Sequence, residues 1–151
     1  MDRVAVRELY SGGGAIVGRS ESLVVVHSAA AWQRMVPALQ GQRDDWASLP
    51  IDWSKSVALV IQAPPAGDAA HLFHVVDISR SGNALDIRVE LQAIPGRGPG
   101  PYGPTTWQAV PVLNPSLIVA SADAAAFGGS PATHLHLPGI DPPDTSIAHE
   151  R

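Results

Sequence analysis

Four of the six histidines have a type and spacing that could bind a metal ion. His134 and His136 are two residues apart, and on a β-strand such residues point to the same side, where they could chelate one ion. His71 and His74 are three residues apart and point to opposite faces of a strand, so at most one of them could join the site unless the segment bends. No HExxH or comparable spacing is present, and the alternative is that His134 and His136 are solvated tail residues.

Three carboxylates that lie close together in the chain could do acid–base work. Asp44 and Asp45, with Asp52 nearby, form an acidic cluster. A carboxylate pair can act as general acid and base when its members sit in different environments. Adjacent carboxylates in a polar loop are more often solvated, and this pair can simply order a turn. The sequence therefore assigns no catalytic residue to the cluster.

The glycine run Ser11–Gly14 invites comparison with phosphate-binding loops. The chain contains neither the GxxxxGK(S/T) pattern nor GxGxxG between a strand and a helix, and no GxSxG elbow presents a nucleophilic serine. We therefore expect Ser11–Gly14 to form a flexible turn, and we expect no cofactor.

Aromatic side chains and a proline-rich loop suggest a different kind of site. The loop from Pro95 to Pro104 contains four prolines and four glycines, and it includes Tyr102. Rings beside a stiff loop suit contact with a peptide or protein. The alternative is that Trp32 packs in the core while the other tryptophans shield a thin sheet. The residues predicted to bind a partner are Trp53, Pro99, Pro101, Tyr102 and Trp107.

Composition limits the classes of partner. The net charge is −4, and the basic residues are Lys55 and nine scattered arginines, which argues against nucleic acid and anionic membranes. The absence of cysteine excludes disulfides, zinc–thiolate sites and a thiol nucleophile. No apolar run is long enough to span a membrane, and no secretory signal is visible. The compartment, cytoplasmic or exported after trimming, and the oligomeric state stay open.

The elements that must position these residues are mostly short strands. Ser28 can cap a helix near residues 29–40, whose apolar residues recur at helical spacing. Pro37 is expected to kink or end this helix, and Gly41 is its latest stop. Leu85 to Leu91 alternates aliphatic and polar residues, which is typical of a half-solvated antiparallel strand. The predicted strands are 3–10, 23–27, 57–61, 72–78, 85–91, 105–112 and 117–120, with a hairpin loop at 79–83.

These elements predict a mainly β or α+β fold, an antiparallel sheet or β-sandwich with one helix near residues 29–40. We expect one β-rich domain over residues 1–127. From residue 128 the chain is polar and rich in proline, so residues 128–151 are predicted to form an extended tail.

Residues 51–61, Ile-Asp-Trp-Ser-Lys-Ser-Val-Ala-Leu-Val-Ile, resemble the opening of the PrcB-type C-terminal domain family. The resemblance covers about residues 20–120, and it includes the later strands and the return through Pro101–Pro104. Relatives usually carry a Gly-Gly-Tyr turn after the first strand, whereas residues 66–71 keep one glycine and no tyrosine. The resemblance implies a non-catalytic, β-rich module that supports a protease complex, often in exported bacterial proteins.

The function predicted from the sequence is a non-catalytic binding or accessory module that docks a protein partner, rather than an enzyme. One alternative is a metal-binding domain or metal-dependent enzyme that uses His71 or His74 with His134 and His136. A second alternative is an apolar ligand site between the sheet and the helix.

Overall fold

The computed structural model describes residues 2–95, 111–112 and 114–151. Strand makes up 52% of the described residues and helix, including 3-10 turns, 13%, so the predicted mainly β or α+β fold is confirmed. The described part contains helix α1, Ala29–Met35, and the strands β1 Asp2–Arg3, β2 Val6–Ile16, β3 Leu23–Val26, β4 Leu39–Gly41, β5 Ser56–Ala63, β6 Gly67–Asp68, β7 His71–Ser81, β8 Ala84–Ala93, β9 Pro111–Val112, β10 Ser116–Asp123, β11 Ala132–His136 and β12 Ile147–Glu150.

The strands form two main sheets and one small ribbon. The six-stranded sheet has the order β12-β3-β5-β10-β2-β4, the four-stranded sheet has the order β1-β7-β8-β11, and β6 pairs with β9. The pairs are antiparallel except for β12 with β3 and β11 with β8, which are parallel. Both sheets are therefore mixed, and most of their strand pairs are antiparallel.

Strand β5 lies at the centre of the molecule and is covered on both faces, as its continuous apolar sequence predicts. Val57, Leu59 and Ile61 point into the core between the two sheets. Ala58 and Val60 point to the opposite face, where the helical layer packs. The alternation gives three layers: the four-stranded sheet, the six-stranded sheet, and a cover of helix and aromatic side chains.

Helix α1 begins at its predicted cap and ends just before Pro37, where the sequence predicts a kink or an end. The Ser28 hydroxyl accepts a hydrogen bond from the Ala31 N–H at 3.1 Å. Pro37 has no N–H to donate to the preceding turn, and the chain changes to a 3-10 turn at Val36–Ala38. Leu39 therefore starts β4 rather than the last helical turn, although its side chain is buried as the pattern predicts.

The first long strand does not stop where the sequence predicts. Strand β2 continues through Ser11–Gly14, so the expected flexible turn there is wrong. On one side, Ser11, Gly12 and Gly13 pair with β10; on the other side, Gly14 pairs with Gly41 of β4. Hydrogen bonds to the neighbouring strands on both sides hold the glycine backbone in an extended conformation.

The prediction of an extended tail at residues 128–151 is also wrong. Strand β11 adds to the four-stranded sheet beside β8, and β12 adds to the six-stranded sheet beside β3. Leu135 is fully buried and Leu137 nearly so, because both belong to the core between the sheets. Burial of these two apolar side chains stabilises the segment within the fold, although the residues around them are polar and rich in proline.

The hairpin between β7 and β8 is tighter than predicted. Its loop is Gly82–Asn83 rather than residues 79–83, because Ser79 and Arg80 remain paired with β8. Of the predicted strand 105–112, Pro111 and Val112 form β9, a two-residue pairing consistent with the edge position expected for Pro111. Residues 105–110 and most of the loop 95–104 lie outside the described residues.

Candidate functional site

The two predicted metal ligands on β7 each face a carboxylate of their own. His71 Nδ1 lies 2.8 Å from Asp68 Oδ1, and His74 Nδ1 lies 2.7 Å from Glu8 Oε1. The second oxygen of Glu8 accepts the Val75 N–H at 3.1 Å. Glu8 therefore links β2 to the edge of β7 through both of its carboxylate oxygens. Its contact with His74 thus has a structural role.

The two predicted ligands on β11 share a third carboxylate. His136 Nε2 lies 2.8 Å from Asp86 Oδ1, and His134 Nδ1 lies 3.8 Å from the same atom. Strand β8 separates β11 from β7, so the predicted grouping of His134 and His136 with His71 or His74 does not form. Across residues 2–95, 111–112 and 114–151, no three His, Asp or Glu side chains are placed to hold a metal ion.

The carboxylates of the acidic cluster lie on the surface, and two of them form local hydrogen bonds. Arg43 donates to both carboxylate oxygens of Asp45, at 2.5 and 2.6 Å, and these bonds hold the pKa of Asp45 below its usual value. Hydrogen bonds from Ser54 lower the pKa of Asp52. Asp44 is exposed. Their contacts favour ordinary ionised surface carboxylates over an acid–base pair.

Three of the four tryptophans lie on the outer face of the six-stranded sheet. Trp32 is 1% exposed and donates its indole N–H to the Trp46 carbonyl at 2.9 Å, and Trp46 is 3% exposed. Trp53 is half-buried, with its ring centroid 6.2 Å from that of Trp32. Trp53 is thus the one predicted partner-binding residue that the structure places; the others, Pro99, Pro101, Tyr102 and Trp107, lie outside the described residues.

The space between sheet and helix, the alternative ligand site, is filled by side chains. The Trp32 ring packs there with Val24, Val26 and Met35. A separate pocket of about 220 Å³ beside the helix is lined in part by Arg19, Arg34 and Glu150. These charged groups make that pocket a poor match for the apolar ligand expected there.

A groove of about 570 Å³ opens where β5 begins and β10 ends, beside the start of β2. Residues 5–7, 54–56 and 121–125 line it. Ser56 pairs with Asp123, and Ser121 pairs with Arg7, so the side chains of each pair share a face of the sheet. That face is the outer one, because the neighbouring Val57 and Ala122 point into the core between the sheets.

The turn before β5 is held by backbone bonds, which fixes one wall of the groove. The Asp52 carbonyl accepts the N–H groups of Lys55 at 3.0 Å and Ser56 at 2.8 Å. The Asp52 carboxylate accepts the N–H of Ser54 at 3.1 Å and its hydroxyl at 2.6 Å. The Lys55 carbonyl in turn accepts the Ala124 N–H at 2.8 Å, which joins this turn to the 3-10 turn after β10.

Two cations of the groove have no ion-pair partner among the residues that the structure describes. In the part of the chain that the structure describes, neither Arg7 nor Lys55 forms an ion pair or a side-chain hydrogen bond. The Asp123 carboxylate instead accepts the Ala125 N–H at 3.1 Å and caps the following turn. The Asp52 carboxylate is hydrogen-bonded to Ser54, and its electrostatic interaction with Lys55 is weaker.

Sequence reasoning found only one wall of this groove, and only through the resemblance. Ser54 and Lys55 belong to the stretch that resembles the PrcB-type family, whereas Arg7, Ser121 and Asp123 were not singled out. No local pattern marks these three, since strand pairing alone brings them to the turn. The sequence feature that could have pointed to the groove is Lys55, the single lysine of the chain.

A pair of histidines that sequence analysis passed over joins the C-terminal strand to β3. His27 Nε2 and His149 Nδ1 share a hydrogen bond of 2.8 Å. Burial lowers the pKa of both imidazoles, and the nearby positive charge of Arg151 lowers both further. The neutral pair therefore fits this site better than the protonated forms.

We expect this pair to make stability fall with acidification. Because the pKa values are lowered in the folded state, the unfolded chain takes up protons first as pH falls through the ordinary value of 6.5. The contribution is complete above that pH and is lost below it. Thermal melts should show a smaller difference in stability between wild type and His149→Gln at pH 5 than at pH 8. An unchanged stability difference between the two pH values would contradict the assignment. The expected change is small, since His149 is exposed and His27 only half-buried.

Comparison with known proteins finds no family model, no curated protein and no solved structure that matches the chain. Within the described residues, no helix is long and apolar enough to cross a membrane.

Proposed function

We propose that the chain is a non-catalytic binding module that docks a segment of a protein partner in the groove lined by residues 5–7, 54–56 and 121–125. The observation that carries the proposal is the pair of cations there, Arg7 and Lys55, which have no ion-pair partner among the described residues. Elsewhere in that part of the chain, Arg3, Arg19 and Arg43 are each paired with a carboxylate, and Arg34 and Arg80 donate to backbone carbonyls. Arg88 and Arg151 form no ion pair there, but they do not line a groove with a second such cation.

The setting of the groove supports docking because its walls are pre-formed. Its floor belongs to β5, β10 and β2, which pair along their lengths at the centre of the six-stranded sheet. The bond from Ala124 to the Lys55 carbonyl couples two of the walls. A surface that is already ordered loses little conformational entropy when a partner binds.

The resemblance noted in the sequence is consistent with this proposal. The Asp52–Lys55 turn, which leads the resemblance to the PrcB-type family, contributes Ser54 and Lys55 to the groove. The family implies an accessory subunit that supports a protease complex, and we propose that kind of role for this chain. Residues 66–71, which lack the family's Gly-Gly-Tyr turn, do not line the groove. The residues on which the proposal depends are therefore all present.

A photo-crosslinking experiment tests the docking site. A crosslinking amino acid replaces Ser54 at the groove, and in a matched control it replaces Glu90, an exposed residue of β8 in the other sheet. We expect a crosslinked protein from the native host with the first variant alone, since only that position faces the groove. We also expect Lys55→Glu, added to the Ser54 variant, to abolish the crosslink by reversing a charge at the site.

Two results would refute the proposal. One is equal crosslinking from both positions, which would indicate general stickiness of the surface. The other is crosslinking that survives Lys55→Glu, since the partner would then be bound without the groove. A circular dichroism melt of each variant distinguishes these outcomes from a loss of folding.

A further inference from the structure

The lining of the groove has an excess of positive charge although the chain as a whole is negative. Arg7 and Lys55 contribute two positive charges, against one negative charge from Asp123. The net charge of the protein is −4, so this patch is set apart from its surroundings. The Asp123 carboxylate already accepts a backbone N–H, which directs it toward its own turn rather than toward either cation.

The two cations reach the groove from backbones that are well separated. Arg7 lies on β2 and Lys55 immediately precedes β5, and β10 runs between these strands. Neighbouring strands are about 4.8 Å apart, so the two backbones are about 10 Å apart or more. In an extended peptide, which rises about 3.3 Å per residue, carboxylates four residues apart lie on the same face and span about 13 Å.

Hydroxyl groups fill the space between the cations. Ser56 and Ser121 lie on the same outer face of the sheet, and neither side chain forms a hydrogen bond with another described residue. Hydroxyls can donate to a carboxylate or to a backbone carbonyl and can also accept from a backbone N–H. They therefore suit a peptide better than a purely charged ligand.

From these observations we infer that the groove recognises an acidic peptide segment, in which two carboxylates on the same face of the segment bind Arg7 and Lys55. This inference rests on the proposed docking function and adds the chemistry of the partner to it. An arginine fork can hold one carboxylate through two bonds, and the lysine acts as a point charge for the second.

Synthetic peptides test the inference directly. Acetylated hexaglutamate, with hexaglutamine and hexalysine as controls and inorganic phosphate as a single-ion control, is titrated into the isotope-labelled full chain and followed by amide NMR shifts. We expect hexaglutamate to shift the amides of residues 5–7, 54–56 and 121–125, and we expect the other three probes to leave them unchanged. Raising the salt concentration should weaken the binding, because the attraction is between solvent-exposed charges.

Matched variants link the binding to the two cations. Arg7→Gln and Lys55→Gln should each weaken hexaglutamate binding about two- to fivefold, the range expected for one exposed charge pair. The control is Arg88→Gln, which removes an exposed arginine of β8 that likewise forms no ion pair in the described part of the chain. It should leave the affinity unchanged.

The outcomes separate this inference from the proposed function. Equal binding of hexaglutamate and hexaglutamine, equal effects of Arg88→Gln and Lys55→Gln, or shifts outside the groove would each overturn the acidic-peptide inference. If phosphate alone reproduces the shifts, the site binds single anions and the inference is wrong. A crosslink at Ser54 that persists in any of these cases leaves docking intact with a partner of other chemistry.

Discussion

Replacing Trp32 with alanine is expected to lower the free energy of unfolding by about 3–5 kcal/mol, the usual cost of truncating a large buried aromatic residue. Its side chain is 1% exposed and packs against the outer face of the six-stranded sheet. The change also leaves the Trp46 carbonyl without the indole N–H that it accepts at 2.9 Å. The cavity and the lost bond act in the same direction, so the helical cover should detach at lower denaturant concentration.

Chemical denaturation followed by circular dichroism measures this effect, with Trp53→Ala as the matched control. Trp53 contacts Trp32 but is only half-buried, so its truncation should cost clearly less. Trp32→Phe should fall between wild type and Trp32→Ala, because it keeps most of the packing and loses the hydrogen bond. Similar losses for Trp32→Ala and Trp53→Ala would show that Trp32 is not a core residue.

Elements with strong local patterns could be predicted from the sequence. The apolar run of β5 predicts a strand covered on both faces, and the alternation from Leu85 to Ile87 and Val89 predicts a strand with one buried face. The Ser28 cap and the spacing of Trp32 and Met35 locate α1. In each case, neighbouring residues alone fix which side chains share a face.

The errors fall where distant pairing overrides local composition. Residues 11–14 look like a turn because glycine favours turns, yet β10 and β4 hold them in a strand from both sides. Residues 132–136 and 147–150 are predicted as tail because their surroundings are polar, yet β8 and β3 offer open edges to which they add. A single sequence does not contain these pairings in readable form.

The candidate groove shows the same division. The Asp52–Lys55 turn stands out in the sequence, and Lys55 is the single lysine of the chain. Arg7 becomes its neighbour in the groove only because β10 pairs with both β2 and β5. Register between strands thus creates the charge pair on which the proposed function depends, and short-range patterns do not report register.

Gly14→Ala tests the correction to β2 that the structure makes. A Cβ at position 14 would lie 2.2 Å from the Gln40 carbonyl oxygen and 3.1 Å from the Leu117 Cβ. The first distance is far below contact between non-bonded atoms, and the obstacle is backbone rather than a movable side chain. We expect a loss of about 1–3 kcal/mol in the free energy of unfolding, typical of forced overpacking, as β4 is pushed away from β2.

Gly13→Ala is the matched control for that effect, one residue earlier in the same strand. A Cβ there would meet nothing closer than the Pro115 carbonyl oxygen at 3.9 Å, which is ordinary contact. Its effect on stability should stay within about 0.5 kcal/mol, because alanine fits a strand and restricts the unfolded chain. If residues 11–14 were a flexible turn, neither alanine would meet an obstacle and the two variants would melt alike. A clear difference between adjacent glycines would therefore reflect the constraints at position 14, which are the close approach of β4 and a φ of +155° that alanine rarely adopts.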